Sequence, residues 1–310
     1  MGDEPLRKTD FIHGSQHSQR PGRDRTPGFA VTTRYRRCMR ALPVIVALLL
    51  LPGAAMAATQ RDVTLPGGNG DVLAGTLTIP DGPGPHPAVV VVGGFGPGTR
   101  DGAIVGGPPG GLYASWAREL ARRGVMTLRY DKRGIGGSPG PALAWLDLPA
   151  LTADATAAVR WLSARPEADP DRTGALGHSQ GGDIALRAGR EGRADRVVTM
   201  AAPARPLGRI GAGIRRVIES VGGERAARET LTRDPRRDAA RLPAPVLVVH
   251  GTRDETVPFS DAGALVSTRR AAGRPVQRVV IRGGDHSLAV GERTPAPAWD
   301  RIAAFVRARP

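Results

Sequence analysis

Seven short apolar segments, separated by longer helix-like segments, constrain the fold of this chain most strongly. One of them, Ala88–Gly94 (AVVVVGG), is apolar throughout, which is typical of a strand buried on both faces. The segments are Val72–Pro80, Ala88–Gly94, Val125–Asp131, Arg172–Gly177, Arg196–Ala202, Pro245–Gly251 and Val276–Gly284. Strands that alternate with helices predict an α/β fold, a mostly parallel sheet flanked by helices on both faces. The first segment alternates polar and apolar residues and is predicted to be an edge strand.

Helical spacing of apolar residues marks the segments between these strands. Gly111–Gly124 ends at a glycine, Leu151–Arg165 has Thr152 as a candidate N-cap, and Ala298–Arg309 is amphipathic. The segment 204–241 is helical in character, has no strand pattern and carries ten arginines against five acidic residues. We interpret it as a short helical lid inserted between two strands. Its arginines could steer anionic substrates towards an entrance or could simply cover a solvated helix face.

The first 57 residues are predicted to lie outside the folded domain. Residues 1–38 are polar and lack apolar periodicity, which favours disorder. Met39–Ala57 has a basic start, an apolar run and a small-residue cleavage motif, as in a secretory signal peptide. The apolar run, Ala41–Leu51, is shorter than the roughly 20 residues that span a bilayer. We therefore expect cleavage after Ala57, export to the periplasm or medium, and one domain over residues 58–310; either Met1 or Met39 could be the true start.

Composition excludes several classes of function. Residues 58–310 contain 35 basic and 25 acidic residues, but the arginines are dispersed and aromatic residues make up only 4% of the chain. A nucleic-acid partner is therefore not expected. The only cysteine is Cys38, so the exported protein would have no disulfide, thiolate metal site or lipid-modified cysteine to anchor it to a membrane. No His, Asp and Glu cluster in this region has metal-ligand spacing, and the oligomeric state is left open.

The sequence GHSQG, Gly177–Gly181, follows a predicted strand and precedes a predicted helix. This G-x-S-x-G pattern in that context is typical of a nucleophile elbow, in which a sharp turn exposes the serine hydroxyl at a helix N-terminus. The two glycines would let the strand and the helix pass closely. We therefore predict that Ser179 is a catalytic nucleophile.

A serine nucleophile needs a histidine base and an acid that orients the base. Downstream of Ser179 the chain has only His250 and His286. His250 lies inside an apolar strand and is interpreted as structural, so His286, in a loop after the last strand, is the predicted base. Asp254, in the loop after the preceding strand, is the predicted acid. Asp285 and Glu255 are interpreted as a turn residue and a solvated neighbour.

From Asp71 to the C-terminus, apart from the proposed lid, these motifs resemble the α/β-hydrolase superfamily, and within it bacterial esterases and serine-aminopeptidase-like hydrolases. The segment Arg129–Ser138 (RYDKRGIGGS) is similar to a D-x-R-G-x-G-x-S turn of that family, for which the resemblance implies a structural role. It also implies an oxyanion hole formed by the backbone N–H groups of Phe95 and Gln180. Gly93 departs from the family pattern, because a histidine is common there.

The sequence thus predicts an exported serine hydrolase that cleaves a small-molecule carboxylic ester through an acyl-enzyme intermediate and requires no cofactor. The predicted catalytic residues are Ser179, Asp254 and His286. A serine aminopeptidase or an acyltransferase could use the same three residues, and a non-catalytic binding module could use the same fold. The short lid favours small or medium acyl groups.

Overall fold

An eight-stranded sheet forms the centre of the fold in the computed structural model, which describes residues 58–103, 111–141, 143–206 and 223–309. The strand order is β1-β2-β4-β3-β5-β6-β7-β8. The strands are β1 Thr59–Pro66, β2 Val72–Ile79, β3 His86–Val92, β4 Met126–Tyr130, β5 Ala168–His178, β6 Arg196–Met200, β7 Val246–Gly251 and β8 Val276–Ile281. The β2 strand runs antiparallel to β1 and to β4, and the remaining neighbours pair in parallel. The predicted mostly parallel sheet is confirmed.

The prediction that Val72–Pro80 forms an edge strand is wrong. Its strand, β2, pairs with β4 on one side and with β1 on the other. The edge position belongs to β1 (TQRDVTLP), which the sequence analysis did not predict. Most side chains of β1 are exposed and only Leu65 and Val63 face inwards, so the strand has too few apolar residues to give a recognisable period.

Helices cover both faces of the sheet. They are α1 Leu112–Ala121, α2 Leu148–Ser163, α3 Gln180–Gly192, α4 Gly223–Thr232, α5 Pro235–Arg241, α6 Ser260–Ala271 and α7 Ala296–Arg307, with a short 3₁₀ helix at Ala144–Leu146. The residues of β3 alternate between two separate apolar cores. Val89 and Val91 pack in the core that contains α1 and α7, whereas Val90 and Val92 pack in the core that contains α2, α3 and α6. This two-sided burial explains the unbroken apolar run.

The α2 helix begins three residues earlier than the sequence pattern predicts, and its N-cap is Asp147 rather than Thr152. The Asp147 carboxylate accepts a hydrogen bond from the backbone N–H of Ala150, at 3.0 Å. Pro149 lies in the first turn, where a missing N–H has no consequence. Thr152 instead lies inside the helix and donates its hydroxyl to the Leu148 carbonyl, at 2.8 Å.

The described part of the segment 204–241 contains the helices α4 and α5. Ala227 and Leu231 of α4 pack against Phe95, Trp145 and Leu146 in a small apolar cluster. The rest of the proposed lid, residues 207–222, lies outside the described residues, as do the proposed disordered extension and signal peptide at 1–57. Among the helices that the structure describes, none is long and apolar enough to cross a membrane.

Candidate active site

Ser179 lies on a sharp turn between β5 and α3. Its φ of 54° and ψ of −125° fall in a region that non-glycine residues rarely adopt. The turn is held because the Ser179 N–H donates to the Met200 carbonyl, at 2.9 Å, and the Gly182 N–H donates to the Ser179 carbonyl, at 2.9 Å. The serine therefore directly precedes the first residue of α3, as expected for a nucleophile elbow.

The two glycines of the elbow are required by close backbone contacts. A Cβ at Gly177 would lie 2.0 Å from the Gly181 carbonyl oxygen, and one at Gly181 would lie 2.2 Å from the Val92 carbonyl oxygen. Neither distance is possible for a real side chain. The G-x-S-x-G spacing thus has a direct steric cause, since β3, β5 and α3 converge at this turn.

His286 and Asp254 form a hydrogen-bonded pair. The Nδ1 atom of His286 lies 3.0 Å from Oδ1 and 2.9 Å from Oδ2 of Asp254. An ionised carboxylate can only accept, so Nδ1 of His286 carries a proton, and in the neutral imidazole Nε2 then has the free lone pair. Asp254 is buried at the carboxyl end of β7, and His286 is partly exposed in the loop after β8. A neutral imidazole in this tautomer can act as a general base through Nε2.

The carboxylate of Asp254 is stabilised in its ionised form. Its Oδ1 accepts the backbone N–H groups of Thr256, at 2.9 Å, and Val257, at 2.8 Å. Burial alone would raise the pKa of Asp254, but the hydrogen bonds from His250, His286 and Val257 outweigh burial and lower its pKa. Asp254 therefore remains charged beside His286 at neutral pH, where it can stabilise an imidazolium.

His250 is a second histidine that contacts the Asp254 carboxylate. It is completely buried, its Nε2 donates to the Val257 carbonyl, at 3.0 Å, and the same atom lies 3.2 Å from Oδ2 of Asp254. His250 thus helps to hold the predicted acid in place, and both histidines contact Oδ2 of Asp254. The apolar strand around His250 predicts a structural role, but nothing in the sequence identifies Asp254 as its partner.

Asp285 forms hydrogen bonds within its own loop. Its Oδ1 accepts from the Ser287 N–H, at 2.8 Å, the Ser287 hydroxyl, at 2.7 Å, and the Ala289 N–H, at 3.0 Å. These bonds shape the turn that carries His286. They fit the interpretation of Asp285 as a turn residue.

The loop that follows β3 approaches Ser179 at Gly94. A Cβ at Gly94 would lie 3.2 Å from the Ser179 Cβ, so a side chain there would crowd the predicted nucleophile. Phe95, a predicted oxyanion donor, is the next residue, and its ring packs edge-to-face on Trp145 with centroids 5.4 Å apart. Gln180, the other predicted donor, is the first residue of α3, where backbone N–H groups have no intrahelical partner.

Tyr113 of α1 anchors this loop. Its hydroxyl accepts the Gly94 N–H, at 2.8 Å, and its ring lies against Gly93, where a Cβ would be 3.1 Å from the tyrosine Cε2. The ring therefore occupies the space next to Gly93, the position where the family commonly has a histidine. Sequence reasoning missed Tyr113, because the aromatic residue lies 19 positions away on a helix.

His178 connects the same loop to the loop that carries His286. Its Nε2 must donate to the His286 carbonyl, at 2.9 Å, because a carbonyl can only accept. Burial lowers the pKa of His178 to about 4, so the ring is neutral and its Nδ1 accepts the Tyr113 hydroxyl, at 3.0 Å. The hydrogen bonds run in one direction from Gly94 through Tyr113 and His178 to His286, and they join three segments of the site.

The segment Arg129–Ser138 builds the neighbouring wall, and the contacts of its motif residues are structural. Asp131 accepts the Arg100 N–H, at 2.6 Å, and the Gly137 N–H, at 2.9 Å. Arg133 donates to the fully buried Asp154, at 2.8 Å from Nε. Gly136 has a φ of 54°, and a Cβ there would lie 2.5 Å from the Asp131 carboxylate.

The structure thus brings together the predicted acid and base and positions Ser179 on its elbow. The rings of His178 and His286 are 4.8 Å apart, so His286 faces the residue that precedes the nucleophile. The described residues make no hydrogen bond to the Ser179 hydroxyl in this conformation, and the role of Ser179, Asp254 and His286 as a triad stays a prediction.

Sequence comparison relates this chain to bacterial hydrolases. The family described as serine aminopeptidase, S33, matches residues 108–233, which include Ser179. Esterase EstD of Thermotoga maritima is 30% identical over 77% of this chain and 62% of its own length. The chain therefore spans less than two thirds of that relative. An uncharacterised protein of Mycobacterium tuberculosis is 29% identical over 79% of this chain and 76% of its own length.

Solved structures share the fold at low sequence identity. An esterase of Pyrococcus furiosus superposes with a TM-score of 0.63 at 19% identity, over 81% of this chain and 91% of that chain. An acylaminoacyl peptidase of Pyrococcus horikoshii gives a TM-score of 0.64 at 18% identity, over 82% of this chain and 42% of that chain. Both likenesses concern the fold.

Proposed function

We propose that this chain, which belongs to the α/β-hydrolase superfamily, is a serine hydrolase that cleaves carboxylic esters. The observation that carries the proposal is the Asp254–His286 hydrogen bond, at 2.9 Å, next to the strained turn of Ser179. A buried, ionised carboxylate that fixes the tautomer of a histidine is the arrangement that a serine nucleophile requires.

In the proposed reaction, the Ser179 hydroxyl attacks the ester carbonyl while Nε2 of His286 takes its proton. The negative oxygen of the tetrahedral intermediate accepts the N–H groups of Phe95 and Gln180, and the N-terminus of α3 adds its favourable dipole. His286 then gives the proton to the leaving alcohol, and an acyl-enzyme remains. Water, deprotonated by His286, releases the acid and regenerates Ser179. Asp254 stays ionised and stabilises the imidazolium.

A fluorophosphonate probe tests the nucleophile directly. The wild-type protein should become labelled at Ser179, as seen by peptide mass spectrometry, and Ser179→Ala should not become labelled. A protein that folds normally and shows no labelling at Ser179 contradicts the proposal and favours a non-catalytic binding module.

A panel of p-nitrophenyl esters of increasing acyl length tests the substrate class. We expect the highest kcat/KM for short or medium acyl groups. The apolar cluster of Phe95, Trp145, Leu146, Ala227 and Leu231 supports an apolar acyl group beside the oxyanion loop. Highest activity on long-chain esters would contradict this expectation.

Aminopeptidase activity is the second candidate, because the matched family is described as serine aminopeptidase. An aminopeptidase needs an acidic group that binds the free amine of the substrate. Aminoacyl p-nitroanilides, assayed beside the esters, separate the two activities. A kcat/KM for anilides equal to that for esters would favour the peptidase.

We also propose that the protein is exported. The Ala55-Met56-Ala57 motif after an apolar run supports this, because signal peptidases cleave after small residues in that context. Protein recovered from outside the cytoplasm should begin at Ala58 or within a few residues of it. An N-terminus at Met1 or Met39 on the exported form would contradict the proposal.

A further inference from the structure

Lys132 is the only lysine in residues 58–310, a region otherwise rich in arginine. It occupies the variable position between Asp131 and Arg133, and it is buried, with 6% of its surface exposed. Its ammonium group forms no ion pair with a described carboxylate. Instead, Nζ donates to the Gly94 carbonyl and, at 2.9 Å, to the Gly96 carbonyl. These two carbonyl groups flank Phe95, the proposed oxyanion donor.

The geometry of the peptide bond connects these contacts to the oxyanion hole. The Gly94 carbonyl and the Phe95 N–H belong to one planar peptide unit, and in a trans peptide they point in opposite directions. Holding the carbonyl oxygen at Lys132 therefore aims the N–H away from Lys132. On the Gly94 side, the backbone lies against Ser179, with 3.2 Å between the Ser179 Cβ and the position of a Gly94 Cβ.

The backbone on both sides of Phe95 is adapted to this contact. Gly96 has a φ of 107°, a conformation that L-residues rarely adopt, and this turn lets its carbonyl reach the same ammonium group. The Gly94 N–H is fixed separately by the Tyr113 hydroxyl, at 2.8 Å. Three hydrogen bonds to side chains outside the loop thus fix the residues on both sides of Phe95. Lys132 donates two of them, and Tyr113 accepts the third.

We propose that Lys132 is a positioning residue for the oxyanion hole: its ammonium group holds the two carbonyls that flank Phe95, aims the Phe95 N–H at the reacting carbonyl, and polarises that peptide. The inference rests on the proposed function, since it concerns the same site. A positive charge at the carbonyl oxygen draws electrons through the conjugated peptide and strengthens the N–H as a donor. The benefit appears only when negative charge develops on the substrate oxygen.

The buried charge distinguishes Lys132 from a residue that only stabilises the fold. Burying an ammonium group without a carboxylate is unfavourable, and burial lowers the pKa of Lys132 to about 7. The space beside it, about 10 Å³, holds a single water at most. An apolar side chain of similar length would avoid the cost of burying a charge, but it would leave the Gly94 and Gly96 carbonyls without this donor. Burial therefore disfavours the charged form of Lys132 relative to the neutral form in the folded protein, which is not expected of a residue that only stabilises the loop.

The first test is Lys132→Met, with Arg301→Met as a control that removes one exposed positive charge. Removing an oxyanion donor typically lowers kcat by about 10² to 10³. Because Phe95 keeps its N–H but loses its alignment, we expect kcat of Lys132→Met to fall by about 10- to 100-fold. KM should change little. Arg301→Met should retain wild-type kcat.

Thionoester substrates distinguish the oxyanion hole from a general folding defect. Sulfur accepts hydrogen bonds weakly, so the kcat ratio of wild type to Lys132→Met should be much smaller for a thionoester than for the matched ester. An unchanged kcat overturns the inference. An equal loss on both substrates, or a variant that fails to fold, also overturns it, because either result indicates a structural role.

A second test uses the wild-type protein. In the form proposed above, which begins near Ala58, Lys132 is the only lysine, so selective ¹³C labelling of lysine gives one side-chain signal. A boronic acid forms an anionic tetrahedral adduct with an active serine. By linkage, an anion near Lys132 should raise the pKa of Lys132 by at least about half a unit. No shift in a protein whose Ser179 forms the adduct overturns the inference, whereas failure to form the adduct or to react with fluorophosphonate contradicts the proposed function instead.

Discussion

At the scale of single residues, three histidines of the site have different hydrogen-bond partners, and these partners give them different roles. His178, His250 and His286 all lie near one another, but the ring of His178 donates to a carbonyl and that of His250 donates to the Val257 carbonyl beside Asp254. His286 is the one whose Nδ1 proton is held by a carboxylate. Its partly exposed ring can therefore offer Nε2 to a proton, while the other two rings are occupied as supports.

The two neighbouring aspartates give a matched test of this arrangement. Asp254→Asn removes the charge that stabilises the imidazolium and favours the wrong tautomer of His286. The equivalent change in the trypsin triad lowers kcat by about 10⁴, and we expect a loss of that order here. Asp285→Asn should cost about tenfold or less, as is usual for groups that act through a neighbour.

Ester hydrolysis by both variants, after circular dichroism has verified folding, checks this prediction. The assignment of the acid is wrong if Asp285→Asn proves to be the inactive variant and Asp254→Asn remains active.

Lys132 predicts a pH dependence of stability. Its folded pKa is about 7 and its unfolded pKa is about 10.4. Below about pH 7 the lysine is charged in both states, and the cost of burying the charge is fully present. Between about pH 7 and 10 the unfolded chain binds a proton that the folded chain does not, so the wild type gains stability as pH rises. Lys132→Met lacks this gain.

The stability of Lys132→Met relative to wild type should therefore be highest below about pH 7 and should fall by on the order of 1 to 4 kcal/mol towards pH 10. Urea denaturation of both proteins across this range measures the difference, in which the other titrating groups cancel. The titratable groups around the ammonium are Arg100, Tyr113, Tyr130, Asp131 and His178. A constant difference would show that Lys132 titrates near its ordinary pKa.

At the scale of elements, the site depends on the close approach of β3, β5 and α3. Gly181 is the first glycine of α3 after Ser179. A Cβ added at Gly181 would lie 2.2 Å from the Val92 carbonyl oxygen and 2.6 Å from the Gly93 carbonyl oxygen. A displacement of α3 would move Ser179 and the Gln180 N–H together. The packing of these elements therefore sets the geometry of the proposed nucleophile and of one oxyanion donor.

Gly181→Ala should destabilise the fold by about 3 kcal/mol or more, because the added methyl group forces the backbone of β3 and α3 apart. Gly263→Ala is the matched control. Gly263 lies inside α6, and an added Cβ there meets no atom within 4 Å, so this change should raise stability by about 0.5–1 kcal/mol. Thermal and urea denaturation of the two variants measures both effects. Equal stability of the two would contradict the steric explanation of the elbow.

At the scale of the whole molecule, the excess of arginine determines the long-range field. In the described part of the segment 204–241, Arg205, Arg233 and Arg236 form ion pairs with Asp261, Asp238 and Asp234. Arg233 also pairs with Asp183, and Asp238 also pairs with Arg190. Ion pairs do not change the net charge, so residues 58–310 keep their excess of basic residues. A net positive field favours the approach of anions.

We expect kcat/KM to be higher at low salt for an anionic ester than for a neutral ester of similar size, and to fall several-fold for the anionic ester as salt increases. The reason is that the Debye length shortens to about 10 Å at 0.1 M ionic strength. Rates with p-nitrophenyl hemisuccinate and p-nitrophenyl butyrate from low to high salt measure the effect. The same salt dependence for both esters would show that the arginines only cover a solvated surface.

The sequence by itself determined the α/β fold and indicated Ser179, Asp254 and His286, because these depend on local signals. Strand and helix periods identify the sheet, the steric demand of the elbow produces its glycine spacing, and the carboxyl ends of parallel strands collect loop residues at one edge. Such signals are contained within a few neighbouring residues. The polar edge strand β1 and the Asp147 cap gave weaker local signals and were missed.

Only the tertiary structure decided how the loop after β3, the proposed oxyanion loop, is held. Its supports come from α1, from the elbow and from the loop after β4, at Tyr113, His178 and Lys132. Each lies between 19 and about 84 positions from Gly94 in the sequence. A tyrosine on a helix or a lysine in a turn has no local pattern that identifies its partner. The two groups come into contact only when the sheet packs and buries them together. The same burial lowers the pKa of Lys132, so that property too exists only in the folded chain.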